Sequence, residues 1–213
     1  MVSDADRAAE DGIADLLRAE RPDDALVGEE GAQAGGASGR RWVVDPLDGT
    51  TNFLYGVPQW AVSVAVEDAG GGLAGVVFAP VAGELFAAER GGGARLNGEP
   101  IRVRDATPLE RALLATGFSY SPEQRAAQAR MLIEVLPAVR DVRRAGAAAL
   151  DLAWLAAGRL DGYWERGLSD WDWAAGRLLV EEAGGAVAEL PGEPPGLAAA
   201  SPALLPALVE LVS

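Results

Sequence analysis

The stretch WVVDPLDGTTNF, residues 42–53, constrains the fold more than any other feature, because an apolar run ends abruptly in two aspartates. Asp45 and Asp48 follow three apolar residues and are separated only by Pro46 and Leu47. Carboxylates at the end of a buried strand are costly unless a cation or hydrogen-bond donors compensate them. The stretch therefore predicts a buried strand that delivers two acidic side chains to a cation.

The residues around the aspartates predict a cation site beside a phosphate site. The proline between them fixes its own φ and bends the chain, so both carboxylates and the Leu47 carbonyl can converge. Gly49 permits close backbone approach, and Thr50 and Thr51 offer hydroxyls and amides at a predicted helix start, where an anion is favoured. The alternative is a capped turn in which Asp48 binds local amides. The buried strand before the motif favours the ligand site.

Three missing residue types restrict the available chemistry. The 213 residues include no Cys and no His, and all 18 basic residues are Arg, so there is no Lys. These absences exclude thiolate nucleophiles, Ser-His-Asp triads, zinc sites built on Cys or His, P-loop lysines and Schiff bases. Catalysis would depend on Asp, Glu, Ser, Thr, Tyr, Arg and backbone amides, and such oxygen ligands suit Mg²⁺, Mn²⁺ or Ca²⁺.

Charge and hydropathy limit the partners. The net charge is −14, which argues against nucleic acid or an anionic membrane as a direct partner. A small anionic substrate stays compatible if metal ions mask the carboxylates. No apolar run reaches the ~18–20 residues of a membrane span, and the N-terminus is polar, unlike a signal peptide. We therefore expect a cytoplasmic protein with no membrane partner.

Residues 1–106 are predicted to form an α+β half that carries the metal and phosphate motif. An amphipathic helix is expected over residues 4–20, capped by one of the two aspartates in its first turn. The glycine-rich segment 28–41 is expected to be a mobile loop. Alternating Trp and Val residues then predict an antiparallel meander over residues 59–103.

Residues 107–213 are predicted to form an α/β half in which helices and strands alternate. Helices are expected at 122–136, 146–157, 171–183 and 202–211, and strands at 113–117, 139–143, 160–165 and 186–190. The predicted fold class of the chain is therefore α/β of a mixed α+β kind, with an antiparallel sheet in the N-terminal half and an α/β C-terminal half.

Further acidic residues could complete a metal site. Glu29 and Glu30 follow a short predicted strand, and Asp172 opens a predicted helix. Each has an ordinary interpretation: a solvated loop for the glutamates, and a capping or first-turn acid for the aspartate. Only their combination with Asp45 and Asp48 favours a role as ligands.

The chain resembles the inositol monophosphatase family, part of the Mg²⁺-dependent, lithium-sensitive phosphatase superfamily, over nearly its whole length. DPLDGTTNF at 45–53 matches the first motif of that family, and WDWAAG at 171–176, running on to EAGG at 182–185, matches its second. GEE at 28–30 lies at the expected distance upstream. The resemblance implies a layered αβαβα sandwich of the sugar-phosphatase type and a homodimer.

The resemblance also implies how two or three Mg²⁺ ions are held. Glu29 is preferred to Glu30, because the first glutamate of GEE is the usual ligand. The implied ligands are the Leu47 carbonyl and the side chains of Glu29, Asp45, Asp48 and Asp172.

Catalytic and substrate-binding roles follow in the same way. Asp6, in a segment that resembles the VTxxD segment of the family, would work with Thr50 to orient and deprotonate the attacking water, and Glu29 is counted as catalytic too. Glu165, seven residues before Asp172, resembles the residue that binds sugar hydroxyls and would place the substrate-hydroxyl side in the second half. The implied substrate-binding residues are Asp48, Gly49, Thr50, Thr51, Ala148 and Glu165.

The implied reaction is Mg²⁺-dependent hydrolysis of a small phosphomonoester by water. Myo-inositol phosphate is the favoured substrate, and the alternatives are histidinol phosphate, fructose 1,6-bisphosphate and 3′-phosphoadenosine 5′-phosphate. The absence of a basic cluster for a second phosphate favours a monophosphate. An alternative of another class is a poorly active regulatory or binding protein on the same scaffold.

The start of the chain carries one further expectation. Family members usually have a helical segment before the position of Val2, whereas this sequence begins at Met1. Asp6 would then lie near a terminus, where helices fray. We therefore expect a less firmly held water-activating residue.

Overall fold

Two β-sheets and six α-helices make up residues 3–105 and 107–213, the part of the chain that the computed structural model describes. The strands of the first sheet are β1 (Ala25–Gly28), β2 (Gln33–Ala34), β3 (Arg41–Asp48), β4 (Ala61–Asp68), β5 (Gly71–Ala79), β6 (Glu84–Glu89), β7 (Gly93–Leu96) and β8 (Glu99–Pro100). They lie in the order β2-β1-β3-β4-β5-β6-β7-β8. From β3 to β8 all pairs are antiparallel, which confirms the predicted meander.

The second sheet has five strands within the described residues. They are β9 (Leu113–Thr116), β10 (Asp141–Arg143), β11 (Gly162–Arg166), β12 (Ala186–Leu190) and β13 (Gly196–Ala200), in the order β10-β9-β11-β13-β12. The sequence did not predict β13, because a Gly-Leu-Ala-Ala-Ala run lacks the β-branched and aromatic residues that mark strands. Its antiparallel pairing with β11 on one side and β12 on the other makes it a strand.

The helices occupy the predicted segments, with small shifts at their ends. They are α1 (Asp4–Glu20), α2 (Thr50–Leu54), α3 (Pro122–Ala138), α4 (Ala148–Ala156), α5 (Asp170–Glu182) and α6 (Leu205–Val212), with a 3₁₀ turn at Leu109–Arg111. The prediction that Asp4 or Asp6 caps α1 is wrong. Ser3 is the cap, and Asp6 is its partner in a capping box, with its carboxylate bound to the Ser3 backbone.

The elements stack in five layers. Helix α1 packs on β3 at the outer face of the first sheet. Helices α4 and α5 pack against each other and contact strands of both sheets, so they fill the space between them. Helix α6 covers the other face of the second sheet and contacts α3. The predicted layered αβαβα fold is confirmed.

Small residues allow the middle layer to pack closely. A Cβ atom on Gly75 of β5 would lie 3.0 Å from the Ala175 Cα, and one on Gly176 would lie 2.6 Å from the Leu152 Cβ. Helix α5 therefore approaches the first sheet and α4 at distances that a larger side chain would prevent. The main hydrophobic core lies in this layer and includes Leu152, Leu155 and Leu179. This close packing brings the start of α4 and the start of α5 to the same end of the molecule as the end of β3.

Three other expectations have different outcomes. Segment 28–41 is not all loop, since Gln33–Ala34 pairs with β1. The division into halves at residues 1–106 and 107–213 stays a prediction. Within the described residues, no helix combines the length and apolar character needed to cross a membrane.

Candidate active site

The end of β3 bends at a bulge and turns its two aspartates inward. Asp45 lies opposite Ser63 of β4 and Asp48 opposite Ala61, so β3 carries one extra residue between them. A bulge re-aims side chains and is one of the few places where a sheet accepts proline. Both aspartates are buried, at 2% and 6% exposed. The predicted buried strand ending in acidic side chains is therefore present.

The hydrogen bonds of the pair contradict the capped-turn alternative. Asp45 accepts a bond of 2.9 Å from the Leu47 N–H within the turn. Asp48 instead accepts bonds from two amides far away in the sequence, the N–H groups of Ala148 (3.0 Å) and Leu150 (3.2 Å). These amides belong to the first turn of α4, whose own cap residue supplies no side-chain bond. Asp48 therefore fastens the second half of the chain to the motif.

One cavity of about 200 Å³ brings most of the predicted site residues together. Asp6 and Thr51 are not among its lining residues. Thr51 lies in the first turn of α2, with its hydroxyl 3.3 Å from the Tyr120 hydroxyl. Of the predicted residues, those that line the cavity are Glu29, Asp45, Leu47, Asp48, Gly49, Thr50, Ala148, Glu165 and Asp172.

Four acids that line the cavity, Glu29, Asp45, Asp48 and Asp172, carry negative charge that the two arginines of its lining, Arg144 and Arg166, do not pair with. Burial, together with the charge of Asp172, raises the pKa of Asp48 to about 8, and burial raises the pKa of Asp172 to about 6. Burial also raises the pKa of Glu29, and burial and the charge of Asp48 raise the pKa of Asp45 well above its usual range. Within the described residues, no arginine forms an ion pair with any of the four. A bound cation would remove this repulsion.

The donor set fits Mg²⁺, which prefers carboxylate and carbonyl oxygens. Four carboxylates and the Leu47 carbonyl face or adjoin the cavity. As they stand, no three acidic side chains of residues 3–105 and 107–213 are gathered tightly enough around one point to ligate a metal. Metal binding would therefore draw these side chains together.

Asp6 and Thr50 form the predicted pair beside this cavity. The Thr50 hydroxyl lies 3.0 Å from Asp6 Oδ1 and 3.1 Å from the Leu47 carbonyl oxygen. Asp6 is fully buried, and its other oxygen accepts a 2.7 Å bond from the Ser3 N–H. The expectation of a frayed, weakly held Asp6 is wrong for this structure, because the capping box and Thr50 fix both of its oxygens.

Gly49 needs to be glycine where α2 begins. Its φ is +92°, in the left-handed region, and an added Cβ would lie 3.0 Å from the Gln59 carbonyl oxygen. The next residue, Thr50, opens the helix. The backbone amides of the first helical turn have no intrahelical acceptor, so they are free to bind an anion.

Asp172 and Ala148 each have a structural role as well as their place in the cavity. Asp172 is the third residue of α5 and accepts a 2.6 Å bond from the Ser169 N–H, so the interpretation as a capping acid is correct for one of its oxygens. The N–H of Ala148 is already donated to Asp48. The backbone of Ala148 is thus committed to Asp48 where the resemblance implied a contact to substrate.

Glu165, near the end of β11, also lines the cavity. It accepts a 2.5 Å bond from the buried Tyr163 hydroxyl, and burial raises its pKa to about 7. A Cβ atom on Gly117 would lie 2.1 Å from the Glu165 carboxylate oxygens. Glycine at position 117 leaves room for the carboxylate in this position, which a larger side chain would force to move.

Sequence reasoning missed Glu10, which holds the loop of Glu29. Glu10 is 4% exposed, and its two oxygens accept bonds from the N–H groups of Glu30 (2.9 Å) and Ala32 (2.7 Å). It lies four residues after Asp6 on the same face of α1. Two acidic residues at this spacing on the buried face of an amphipathic helix were the available signal.

Replacing Glu10 with glutamine should raise the Mg²⁺ concentration needed for half-maximal phosphatase activity several-fold. A glutamine amide can accept only one of the two bonds, so a backbone N–H loses its partner at about 1–3 kcal/mol and the Glu29 loop loosens. We expect the KM for substrate to change much less than the Mg²⁺ requirement. The exposed Glu20→Gln on the same helix is the matched control, and an unchanged Mg²⁺ requirement in Glu10→Gln would contradict this role.

Comparisons with known proteins agree with this geometry. The profile of the inositol monophosphatase family matches residues 1–211. An inositol-1-monophosphatase from Rhizobium meliloti is 50% identical over 188 residues, which cover 86% of this chain and 70% of that protein. Nus factor SuhB from Pseudomonas aeruginosa is 48% identical over 197 residues, which cover 90% of this chain and 73% of that protein. The crystal structure of extragenic suppressor protein suhB from Bartonella henselae aligns with a TM-score of 0.93 at 43% identity, over 100% of this chain and 84% of that one.

These matches confirm the resemblance drawn from the motifs and the prediction of a phosphoric monoester hydrolase. The family generally uses Mg²⁺, which agrees with the oxygen donors around the cavity. The chain belongs to the inositol monophosphatase family.

Proposed function

We propose that this protein hydrolyses myo-inositol phosphate to inositol and phosphate in a reaction that requires Mg²⁺. The observation that carries the proposal is the group of four carboxylates around one cavity, two of them buried, which form no ion pair within the described residues. Glu165, which lines the same cavity, would supply an acceptor for substrate hydroxyls. A relative named inositol-1-monophosphatase supports the choice of substrate.

Glu29, Asp45, the Leu47 carbonyl, Asp48 and Asp172 would hold the metal. Bound Mg²⁺ lowers the pKa of water and stabilises negative charge on the leaving oxygen. The protein itself holds the ligand side chains in position. Asp48 does so through its bonds to α4, and Glu29 through the bonds of its loop to Glu10.

Asp6 and Thr50 would prepare the attacking water. The Thr50 hydroxyl donates its hydrogen to Asp6 or to the Leu47 carbonyl, so its oxygen lone pair can accept a hydrogen bond from water. Asp6 can then take up the proton through the same hydroxyl. The first-turn amides of α2, from Thr50 and Thr51, would bind the phosphate oxygens as water adds to phosphorus and the alcohol leaves.

Phosphate release from four esters tests the substrate. We expect kcat/KM for myo-inositol 1-phosphate to exceed, by about tenfold or more, the values for histidinol phosphate, fructose 1,6-bisphosphate and 3′-phosphoadenosine 5′-phosphate. Tenfold corresponds to about 1.4 kcal/mol, the scale of one well-placed hydrogen bond. A higher kcat/KM for any of the other three would reassign the substrate while leaving the reaction class in place.

A second candidate function is regulatory, because relatives that are 48% and 45% identical, against 50% for the named phosphatase, carry the name Nus factor SuhB. A protein acting only in this way would keep the fold and lack Mg²⁺-dependent turnover. Absence of phosphate release from all four esters, in a folded protein with Mg²⁺ present, would favour it.

The homodimer and the cytoplasmic location stay predictions.

A further inference from the structure

Asp151 is a buried acid in the cavity to which neither the motifs nor the proposed mechanism gives a role. It lies in the first turn of α4 and is 2% exposed. It lines the same cavity as Asp48 and Glu165. Its helix brings it there because Asp48 binds the first-turn amides of α4.

Among the buried acids of the described residues, Asp151 alone accepts no hydrogen bond. The others accept bonds from backbone or side-chain donors, and they are Asp6, Glu10, Asp24, Asp45, Asp48 and Asp161. Asp151 also forms no ion pair within residues 3–105 and 107–213. Within the described residues, Trp154 Nε1 is the only side-chain nitrogen or oxygen atom that is both fully enclosed and without a hydrogen-bond partner. The Asp151 oxygens also have no partner, so they cannot be fully enclosed. They therefore open onto the cavity.

An unpartnered buried carboxylate needs hydrogen-bond donors, and a ligand in the cavity can supply them. Arg144 lines the same cavity, with its guanidinium 5.9 Å from the centre of the Phe118 ring, and it makes no ion pair in the described part of the chain. Burial raises the pKa of Asp151 well above its usual range and that of Glu165 to about 7, and the nearby charge of Arg144 acts on both in the opposite direction. A hydroxyl of a bound ligand donates such a bond without adding positive charge beside Arg144.

We propose that Asp151 is a specificity-determining residue that accepts a hydrogen bond from a hydroxyl of the alcohol part of the substrate, in the cavity that Glu165 also lines. Two acceptors from different elements, α4 and β11, select phosphomonoesters of alcohols that carry several hydroxyls. This inference rests on the proposed function and adds to it a residue that would recognise the alcohol part of the substrate.

Asp151→Ala tests the role by its effect on the selectivity between two esters. The ratio of kcat/KM for myo-inositol 1-phosphate to that for phenyl phosphate, which has no hydroxyl on its ring, should fall about tenfold to a hundredfold. The loss should appear mainly in KM for the inositol ester. Asp151→Asn, whose amide oxygen can accept the same bond, should restore part of the ratio. An unchanged ratio in Asp151→Ala, or equal losses for both esters, would overturn the proposal.

Asp24→Asn is the matched control for removal of a buried acid. Asp24 accepts bonds from Ser38 and from the Trp42 indole N–H, and it does not line the cavity. We expect this control to melt at a lower temperature and to keep the wild-type ratio. Asp151→Ala should melt no lower than the wild type, because it removes a carboxylate that has no partner. A large fall in its melting temperature would show that Asp151 serves the fold and would overturn the proposal.

A binding experiment separates failure of this inference from failure of the proposed function. If the wild-type protein hydrolyses neither ester, the proposed function fails. Saturation-transfer NMR with myo-inositol and inorganic phosphate, in the presence of Mg²⁺, then tests Asp151 directly. A myo-inositol signal with the wild-type protein that is lost in Asp151→Ala supports the proposal, and equal signals or no wild-type signal overturn it.

Discussion

Replacing Asp45 with asparagine should lower kcat/KM by about 10³-fold or more and leave the fold intact. Asparagine has the same size, and its amide oxygen can keep the 2.9 Å bond from the Leu47 N–H. The variant loses the negative charge that, in our account, helps to hold Mg²⁺. A factor of 10³ corresponds to about 4 kcal/mol of transition-state stabilisation, which is in the range expected for metal-ion catalysis.

The same substitution should stabilise the protein when no metal is present. Burial and the charge of Asp48 raise the pKa of Asp45 in the folded state, so the folded protein keeps a proton that the unfolded chain loses above about pH 4. The destabilisation from Asp45 is absent at low pH and grows as pH rises towards the folded pKa. In chelator, Asp45→Asn should therefore melt at a higher temperature than the wild type, with a gap that widens as the pH rises above about 4.

Steady-state kinetics check the predicted loss of kcat/KM in Asp45→Asn. Thermal melts with and without Mg²⁺ check the predicted gain in stability. Asp68→Asn is a suitable control, because Asp68 pairs with Arg90 at the surface, away from the cavity. Near-normal turnover in Asp45→Asn would show that this residue does not support the chemistry. A lower melting temperature in chelator would show that its carboxylate is stabilised by something other than metal.

Thr50→Val should lower kcat by about 10²-fold with a smaller change in KM. Valine keeps the shape of threonine and removes the hydroxyl that lies between Asp6 and the Leu47 carbonyl oxygen. General acid–base assistance of this kind is worth about 10²–10⁴-fold. Asp6→Asn should cause a similar loss, since the two residues would move the same proton.

The double variant distinguishes a working pair from two separate contacts. If Asp6 and Thr50 act as a unit, Asp6→Asn combined with Thr50→Val should lose little more than either single variant. Thr51→Val, whose hydroxyl contacts Tyr120 instead of Asp6, should lose much less than Thr50→Val. Fully additive losses, or normal kcat in Thr50→Val, would contradict the role of the pair.

Much of this site could be predicted because its signals are local in the sequence. The buried strand, the two aspartates and the glycine before a short helix all lie within residues 42–53, and the structure has each of them. The layered fold was implied by a family resemblance that rests on two long motifs. Local patterns of this kind report backbone geometry and the face of an element that is buried.

The parts that could not be predicted depend on contacts between distant residues. The bonds from Asp48 to α4 span about a hundred residues, and the bonds from Glu10 hold a loop twenty residues later. Asp151 reads in the sequence as an ordinary first-turn acid, and only its burial without a donor distinguishes it. Strand β13 owes its conformation to its two neighbours in the sheet. Sequence periodicity contains none of this information, because tertiary packing decides it.

Phosphate release from myo-inositol 1-phosphate by metal-free wild-type protein, titrated with Mg²⁺, tests the central claim most directly. The carboxylate cavity predicts no release in chelator and activity that rises and saturates with Mg²⁺, and membership of the inositol monophosphatase family adds the expectation of inhibition by millimolar Li⁺. Release that persists in chelator, or none at any Mg²⁺ concentration in a folded protein, would contradict the assignment of Glu29, Asp45, Asp48 and Asp172 to a catalytic metal site.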